Sequence, residues 1–394
     1  MIERHYDVIC VGAGLVGRLT ACALASSSFK VLSIDAFSFN ADTIAGQDGR
    51  TTFVSLKSME ILERFGFWQA LVPYAQPIQN ILAYEHQTPW YLDYSSKDFT
   101  NSPMGYIIEN KYLFKSLYQH ENVENLYVVT GVRVSAVDIT DYKAVVQTDC
   151  GMSYSASLIL GIDGRFSSIR KFAPQILESS HQYDQKACVL HISHKKSHEG
   201  TAYEVFTTHG PLAILPLISD EEYLNRSGIV WCQKNTFDFE SLSDDQIAEI
   251  LSNLFPHLGE LKVISSKWIY PLQFLKVNQL IDNRIALIGD SGHVLHPIAG
   301  QGVNLGWRDA EKMIDLLVSQ KKLGLDYGSE ILLQQYDDAR KFDRLSMSFM
   351  TDFLSKIYSS NFKSVKLIRN TGFALLNMIK PVKNFLVRRA MGLF

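Results

Sequence analysis

Between Tyr6 and Asp35 the chain has few ways to fold. Tyr6 to Val11 is a short apolar run, and Gly12-Ala13-Gly14-Leu15-Val16-Gly17 follows it. A helical pattern then continues to about Ser27, and Val31 to Ile34 forms a second apolar run ending in Asp35. Strand, glycine turn, helix and strand make a βαβ unit. Each part has a chemical use. Gly12 permits the tight turn, Gly14 lets the backbone approach a pyrophosphate, and Gly17 lets helix pack on strand. Diphosphate charge belongs at the helix N-terminus, by Leu15 and Val16, and Asp35 is placed to accept hydrogen bonds from a ribose. The unit predicts an α/β domain that binds a dinucleotide, and the motif suits NAD and FAD alike.

A second constrained stretch is IALIGDSGHVLHPIAGQGVNLGWRDA, residues 285–310. Ile285 to Ile288 reads as a buried strand ended by Gly289-Asp290. His296-Pro297 and Gly300-Gln301-Gly302 exclude regular structure and suit backbone lying against a flat ligand. From Val303 the spacing of Leu305, Trp307, Met313, Leu316 and Leu317 gives a helix with one apolar side. Its N-terminus turns free N–H groups and a positive dipole end toward the loop. A third stretch, Leu158 to Ile162 running into Asp163-Gly164-Arg165-Phe166-Ser167-Ser168-Ile169-Arg170, is an apolar strand ending in a polar turn with the spacing DGxxSxxR.

At GDSGHVLHPIAGQGVNLGWRD the chain resembles the second FAD motif of the group A flavoprotein monooxygenases, the aromatic-ring hydroxylases. Within them it is most similar to the ubiquinone-biosynthesis hydroxylases (2-polyprenyl-6-methoxyphenol hydroxylase-like). The family usually reads GDAAH where this chain has Gly289-Asp290-Ser291-Gly292-His293. The resemblance implies that Asp290 holds the ribityl chain. It also implies that His296, Pro297, Gly300, Gln301 and Gly302, with Val303 and Asn304, line the isoalloxazine ring. By the same resemblance Arg50 lies beside the FAD pyrophosphate, Asn110 contacts FAD, and the backbone near Val134 meets the adenine. Asp163 and Gly164 serve FAD, and Arg165, Ser167 and Arg170 are candidate contacts for NAD(P)H.

The implied fold is α/β, a Rossmann-like FAD-binding domain of the p-hydroxybenzoate hydroxylase type. It is interleaved with a mostly antiparallel substrate sheet and followed by C-terminal helices. Residues 1–73, 104–178 and 276–330 are expected to form the discontinuous FAD-binding domain, 74–103 and 179–275 the substrate domain, and 331–394 a helical region that is a candidate for membrane association. The alternating segments Ala187 to Ile192, Ala202 to Phe206, Leu212 to Leu217, Gly228 to Cys232 and Trp268 to Pro271 predict strands, and 243–255 a helix. Residues 126–139 and 143–149 also read as strands. Residues 56–72 read as a helix broken near Gly66, and the chain is helical from about Ile331.

With 394 residues and 46% apolar composition the chain buries a large core. A net charge of −3 argues against nucleic acid as partner. The five cysteines are scattered and lack CxxC spacing, so neither a disulfide framework nor a zinc site follows, and a reducing compartment is the default. His181, His191, His194, His198 and His209 match no metal-site spacing, and no metal is expected. The apolar start is interrupted by Arg18 and by the motif glycines, which disfavours a secretory signal, and no run approaches 18 apolar residues. From Asn361 to Phe394 there are seven basic residues and no acidic one, interleaved with apolar residues. Such a segment suits either an anionic bilayer surface or packing on the body.

The resemblance then implies the chemistry: FAD as resident cofactor, NAD(P)H as transient reductant, O₂ as co-substrate and a polyprenylated phenol as substrate. No side-chain nucleophile or base is expected. No second GxGxxG occurs, in keeping with a donor that docks and leaves. HEGTAYEVFTTHGPLAILPL (198–217) resembles the substrate-domain stretch of the ubiquinone hydroxylases. Other ubiquinone-biosynthesis proteins or a second copy are candidate partners. The expected location is cytoplasmic, peripheral on the inner face of the bacterial cytoplasmic membrane. The same fold also serves other aromatic hydroxylases, prenyl-lipid reductases, halogenases and non-enzymatic FAD-containing carriers or assembly proteins. The halogenases' WxWxIP is absent here, and a carrier has no use for an intact ring loop or DGxxSxxR turn.

Overall fold

The computed structural model describes residues 4–38, 48–85, 91–98, 102–119, 123–207, 210–296, 300–359 and 391, with the backbone alone for 348–359. Strand Arg4–Val11 runs parallel to Val31–Asp35 on one side and to Ser153–Gly161 on the other. Val31–Asp35 pairs in parallel with Leu126–Thr130, and Ser153–Gly161 with Ile285–Leu287. Val8, Ile9 and Cys10 are wholly buried, as expected of strands covered on both faces. Because the strand order reverses at Arg4–Val11, a crevice opens at its C-terminal end, where Gly12 lies. Helices Leu15–Ser26 and Gly302–Leu323 cover this sheet and pack on each other, and Glu330–Ser359 lies alongside.

A nine-stranded sheet forms the second layer. Its main strands are Asn80–Glu85, Tyr91–Ser95, Glu178–His194, Thr201–Thr207, Gly210–Leu217, Arg226–Lys234 and Trp268–Val277. The pairing is antiparallel except between Thr201–Thr207 and Asn80–Glu85. Alternate residues divide its faces. Leu190, Ile192, Val205, Ile214 and Ile229 pack with Ile247 and Leu251 of helix Asp244–Leu254, whose N-terminus is closed by a Ser243–Gln246 capping box. The opposite face looks toward the first sheet. Between them lie Thr51–Ser55, Gln76–Pro77 and Gly105–Glu109 as a small sheet.

The α/β architecture expected from the βαβ unit is present, and the predicted helix over 56–72 breaks into Leu56–Arg64 and Trp68–Leu71 around Gly66. Two boundaries differ from expectation. The run 126–139 is two strands, because the chain turns at Gly131 (φ +74°) and leaves the parallel sheet for an antiparallel hairpin with Ala144–Thr148. The strand expected at 187–192 extends over Glu178–His194. Its polar first half pairs with Trp268–Val277, so backbone pairing holds it without apolar alternation. Of the basic segment 361–394, all but Met391 lies outside the described residues.

Candidate functional site

At the crevice the backbone is close-packed. Gly12 adopts φ +107°, and a side chain there would collide with the Ile162 carbonyl. One on Gly17 would collide with the Gly12 carbonyl. Gly14 differs, since a Cβ there would meet nothing within 4 Å and the position faces open space. Helix Leu15–Ser26 begins beside it with no acidic residue in its first turn and no side-chain cap. Its first N–H groups are therefore left to a ligand.

Asp35 ends the second strand. Its Oδ2 accepts the Ala13 N–H at 2.5 Å and its Oδ1 the Phe37 N–H at 2.8 Å. Burial raises its carboxyl pKa despite those two bonds. It fixes the glycine turn first, and each oxygen retains a lone pair for a ribose hydroxyl. The Val132 N–H donates to the Asp35 carbonyl at 3.2 Å, which brings the segment before buried Val134 to the same corner.

The second helix N-terminus meets the first. A Cβ on Gly306 would lie 2.8 Å from a Val16 methyl, and one on Gly289 would lie 3.5 Å from Gly306 Cα and 3.8 Å from Val16. Val16 is thus wedged between strand end and helix. Its side chain joins protein to protein, and only its backbone is left to the crevice. Leu15 is buried, and its carbonyl accepts the Trp307 indole N–H at 3.3 Å. Helix Gly302–Leu323 also starts without a side-chain cap or an acid in its first turn. A Cβ at Gly302 would sit 3.8 Å from Asp290 Oδ1, so that carboxylate stands at the helix's positive end. Asp290 is exposed, yet the surrounding protein raises its carboxyl pKa by desolvation, offset in part by His293, Arg165 and Arg50. Both observations fit the wall of a deep cleft.

Several predicted contacts serve the protein. Asn304 is fully buried, with Nδ2 donating to the Phe53 and Gly300 carbonyls at 2.6 and 3.1 Å and Oδ1 accepting the Ser55 N–H at 2.9 Å. Its side chain stitches the ring loop to Thr51–Ser55. Asn110 likewise accepts from Thr52 Oγ1 at 2.7 Å and donates to Asp48 Oδ2 at 3.1 Å. Asp48 in turn clamps Arg50 through two bonds of 2.8 and 2.7 Å, and the Arg50 guanidinium lies 5.4 Å from the Tyr270 ring centre. Asn110 thus acts on Arg50 through Asp48, a link no sequence spacing reveals.

In the DGxxSxxR turn, Asp163 Oδ2 accepts from the Ser168 N–H and hydroxyl and from the Ile169 N–H, while Oδ1 is buried without a partner. Gly164 has φ +77°. Ser167 is buried, with Oγ accepting the Arg170 N–H at 3.1 Å. Arg170 donates to Glu178 at 2.7 Å, the Ser291 carbonyl at 2.6 Å and the Arg165 carbonyl at 3.0 Å. Ser167 and Arg170 brace the turn, and half-buried Arg165 reaches toward the Pro271 carbonyl at 3.5 Å. Ser291, where the family has alanine, has its Oγ 2.6 Å from the Gly161 carbonyl and accepts the Ile288 N–H at 3.1 Å. The substitution pins this loop to the sheet.

On the far side of the cleft, His296 Nε2 lies 3.2 Å from Gln185 Oε1, and its ring stands edge-on to Tyr183 at 5.0 Å. Gly300 abuts Phe53. Gln301 is buried and Val303 half-buried. Pro297 lies outside the described residues. Among the described residues no group of three or more His, Cys, Asp or Glu is gathered as a metal site, and no helix is long and apolar enough to cross a membrane.

These residues fit FAD. The open Gly14 position, two uncapped helix N-termini, the unpartnered Asp163 oxygen and the cleft carboxylate of Asp290 together offer donors for a diphosphate and acceptors for hydroxyls.

Comparison with known proteins agrees. The FAD binding domain family matches residues 5–343. The chain is 34% identical over 396 residues to the ubiquinone hydroxylase UbiL of Rhodospirillum rubrum, covering 99% of this chain and 90% of that one. It is 26% identical over 401 residues to the 3-demethoxyubiquinol 3-hydroxylase of Escherichia coli, covering 100% of both. Among solved structures, p-nitrophenol 4-monooxygenase PnpA from Pseudomonas putida has the same fold, with a TM-score of 0.78 at 18% identity over 99% of each chain. The chain belongs to the ubiquinone hydroxylase family of FAD-dependent monooxygenases.

Proposed function

We propose that this enzyme hydroxylates the ring of a polyprenylated phenol on the way to ubiquinone. The observation that carries the reading is the meeting of Val16, Gly289 and Gly306. It brings two free helix N-termini and Asp290 to one cleft, roofed by the second sheet. Bound FAD supplies electron transfer from NAD(P)H to O₂ and delivery of one oxygen atom to the ring. Gly12, Gly14, Leu15 and Val16 would hold the pyrophosphate through backbone, with Arg50 beside it. Asp35 and the Val134 segment would take the adenosine end, and Asp163 and Asp290 the ribityl hydroxyls. The N-terminus at Gly302 and Val303 would stabilise negative charge on the ring system. The loop from His296 to Gly302 would keep water from the reacting face.

The division into an FAD-binding part (1–73, 104–178, 276–330) and a substrate part (74–103, 179–275) belongs to this reading. So does a peripheral position on the inner face of a membrane through the basic apolar segment 361–394, since a polyprenylated phenol resides in the bilayer. Met391 is buried with Leu56, Ala202 and Leu217, and its carbonyl accepts the Lys57 N–H at 3.3 Å. Met391 is therefore docked beside the nine-stranded sheet, in keeping with a lipid-bound substrate that reaches the cleft.

The test is NAD(P)H oxidation by purified, FAD-loaded protein with a short-tail prenylphenol. Stimulated oxidation matched by hydroxylated product supports the reading, and tight binding without turnover would support a carrier instead. In cells lacking the protein, the phenol that accumulates identifies the ring position.

A further inference from the structure

On the cleft side of the nine-stranded sheet the carboxylate of Glu204 stands between apolar neighbours. Glu204 lies on Thr201–Thr207 between Tyr203 and Val205, which both point into the core under helix Asp244–Leu254. Alternation therefore turns Glu204 to the opposite face. Its cross-strand neighbours are Ala213 on one side and Ala83 on the other. Beyond Ala213 the next residue in the row is Val230. Two alanines flanking a long side chain leave a niche on either side of the carboxylate. No described residue gives that carboxylate a hydrogen bond or an ion pair, and burial alone acts on it.

The same face is the one the FAD site looks onto. Gly228, on the strand next to Ala213, abuts Thr51, and His191 Nε2 lies 2.9 Å from the Gly49 carbonyl. Glu204 is two strands from the Gly228 strand, roughly 10 Å at the usual interstrand spacing. That gap suits one aromatic ring between the niche and the Thr51–Phe53 edge of the cleft.

We propose that Glu204 is the substrate-orienting residue, its carboxylate accepting the hydrogen bond of the phenol hydroxyl and so fixing which ring carbon faces the oxygen donor. Glu204 is half-buried, yet the surrounding protein desolvates its carboxylate, which is costly without a donor. A phenol O–H entering from the cleft offers that donor, whereas the alanine walls accept the apolar ring edge. The bond also raises electron density in the ring, which attacks the incoming oxygen. By strand alternation the titratable groups sharing this face are Glu85, Tyr94, Tyr183, His191, Arg226, Cys232, Lys234 and Tyr270. Arg226 is held by Glu109 and Asp220, and no described cation is ion-paired with Glu204. The proposal rests on the phenol-hydroxylase reading and deepens it.

The experiment compares wild type with Glu204→Gln, both FAD-loaded, on a short-tail prenylphenol and on its methyl ether. Burial pushes the Glu204 carboxyl up to about 7. Wild-type kcat/KM should therefore rise through neutral pH and favour phenol over ether. E204Q should lose on the order of 10- to 100-fold in kcat/KM on the phenol, with a flat profile and a reduced preference over the ether, since the amide oxygen still accepts a neutral hydrogen bond. An E204Q enzyme that hydroxylates with unchanged KM, pH profile and preference overturns the proposal while leaving the function intact. Wild type unstimulated by any prenylphenol fails the underlying function instead, and the proposal with it. If E204Q does not retain FAD, Ala83→Leu narrows the niche with the carboxylate in place. It should raise KM for the phenol at unchanged FAD content, and an unchanged KM overturns the proposal.

Discussion

His293 Nε2 lies 2.6 Å from Asp309 Oδ2, and neither side chain touches solvent. The same Asp309 oxygen accepts the Gly289 N–H at 3.1 Å. Its other oxygen accepts from Arg340 Nε at 2.6 Å. Arg340 continues to Asp343 at 2.6 Å, and Asp343 to Arg308 at 2.9 Å. A buried ionic chain thus ties the turn that carries Asp290 to helices Gly302–Leu323 and Glu330–Ser359.

That chain makes the last long helix a support of the candidate cofactor site. Removing one partner of a buried pair costs about 3–5 kcal/mol, because the other charge is left uncompensated. Arg340→Met is expected to lower Tm by that equivalent and to speed FAD release, measured by thermal unfolding and flavin fluorescence. Burial would raise the Asp309 carboxyl, but Arg340 and His293 hold it well below the usual carboxylate range. Its stabilisation is complete above the ordinary carboxylate pKa and is lost as pH falls toward the depressed value. Wild type therefore weakens in acid below about pH 4, and R340M should weaken at higher pH.

The glycine turn gives a sharper result. A side chain on Gly17 meets the Gly12 carbonyl, so Gly17→Val must open the contact between helix and turn. FAD affinity should fall at least tenfold, the equivalent of about 1.4 kcal/mol, read by titration of the apoprotein. Gly14→Ala, whose Cβ meets no protein atom within 4 Å, should leave the fold intact and weaken FAD alone.

Asn304→Ala strips partners from two carbonyls and one N–H at once. Each unsatisfied buried group costs about 1–3 kcal/mol, less where water enters. The expected phenotype is a loosened ring loop, with more NAD(P)H consumed per product formed and the difference recovered as H₂O₂. Tight coupling in N304A would show that the loop is held by something else.

Glu204 carries a pH signature in stability as well. Its carboxyl is raised from an ordinary 4.5 to about 7 by burial, so the fold favours the neutral form. That contribution is complete below 4.5 and lost as pH rises through about 7. E204Q should gain up to about 3 kcal/mol over wild type at pH 8.5 and next to nothing at about pH 4, measured by denaturant unfolding at both pH values.

Deleting residues 361–394 removes seven basic residues and the docked Met391. Vesicle flotation with anionic lipid should show lost association, and activity on long-tail phenols should fall while FAD content holds. Equal flotation of the full and shortened chains would sink the membrane role.

Much of this was legible because local constraints coincide with local chemistry. Gly12, Gly17 and Asp35 lie within one supersecondary unit, and Asp290 and Gly302 within one strand–loop–helix. The supporting residues were not. Asp48, Asn110 and Arg50 act as a relay across 62 residues of sequence, and Asp309 meets Arg340 across 31. Glu204 reads as an ordinary polar position in an alternating strand until its alanine neighbours are known. Single charged residues carry no periodic signal, so their burial is decided by tertiary packing alone.

The most direct measurement is oxygen incorporation under isotopically labelled O₂, with FAD-loaded enzyme, NAD(P)H and a prenylphenol. The account predicts one labelled atom per hydroxylated ring and an equal molar consumption of NAD(P)H. A product labelled from water, or a phenol returned unchanged while the flavin stays oxidised, would contradict it.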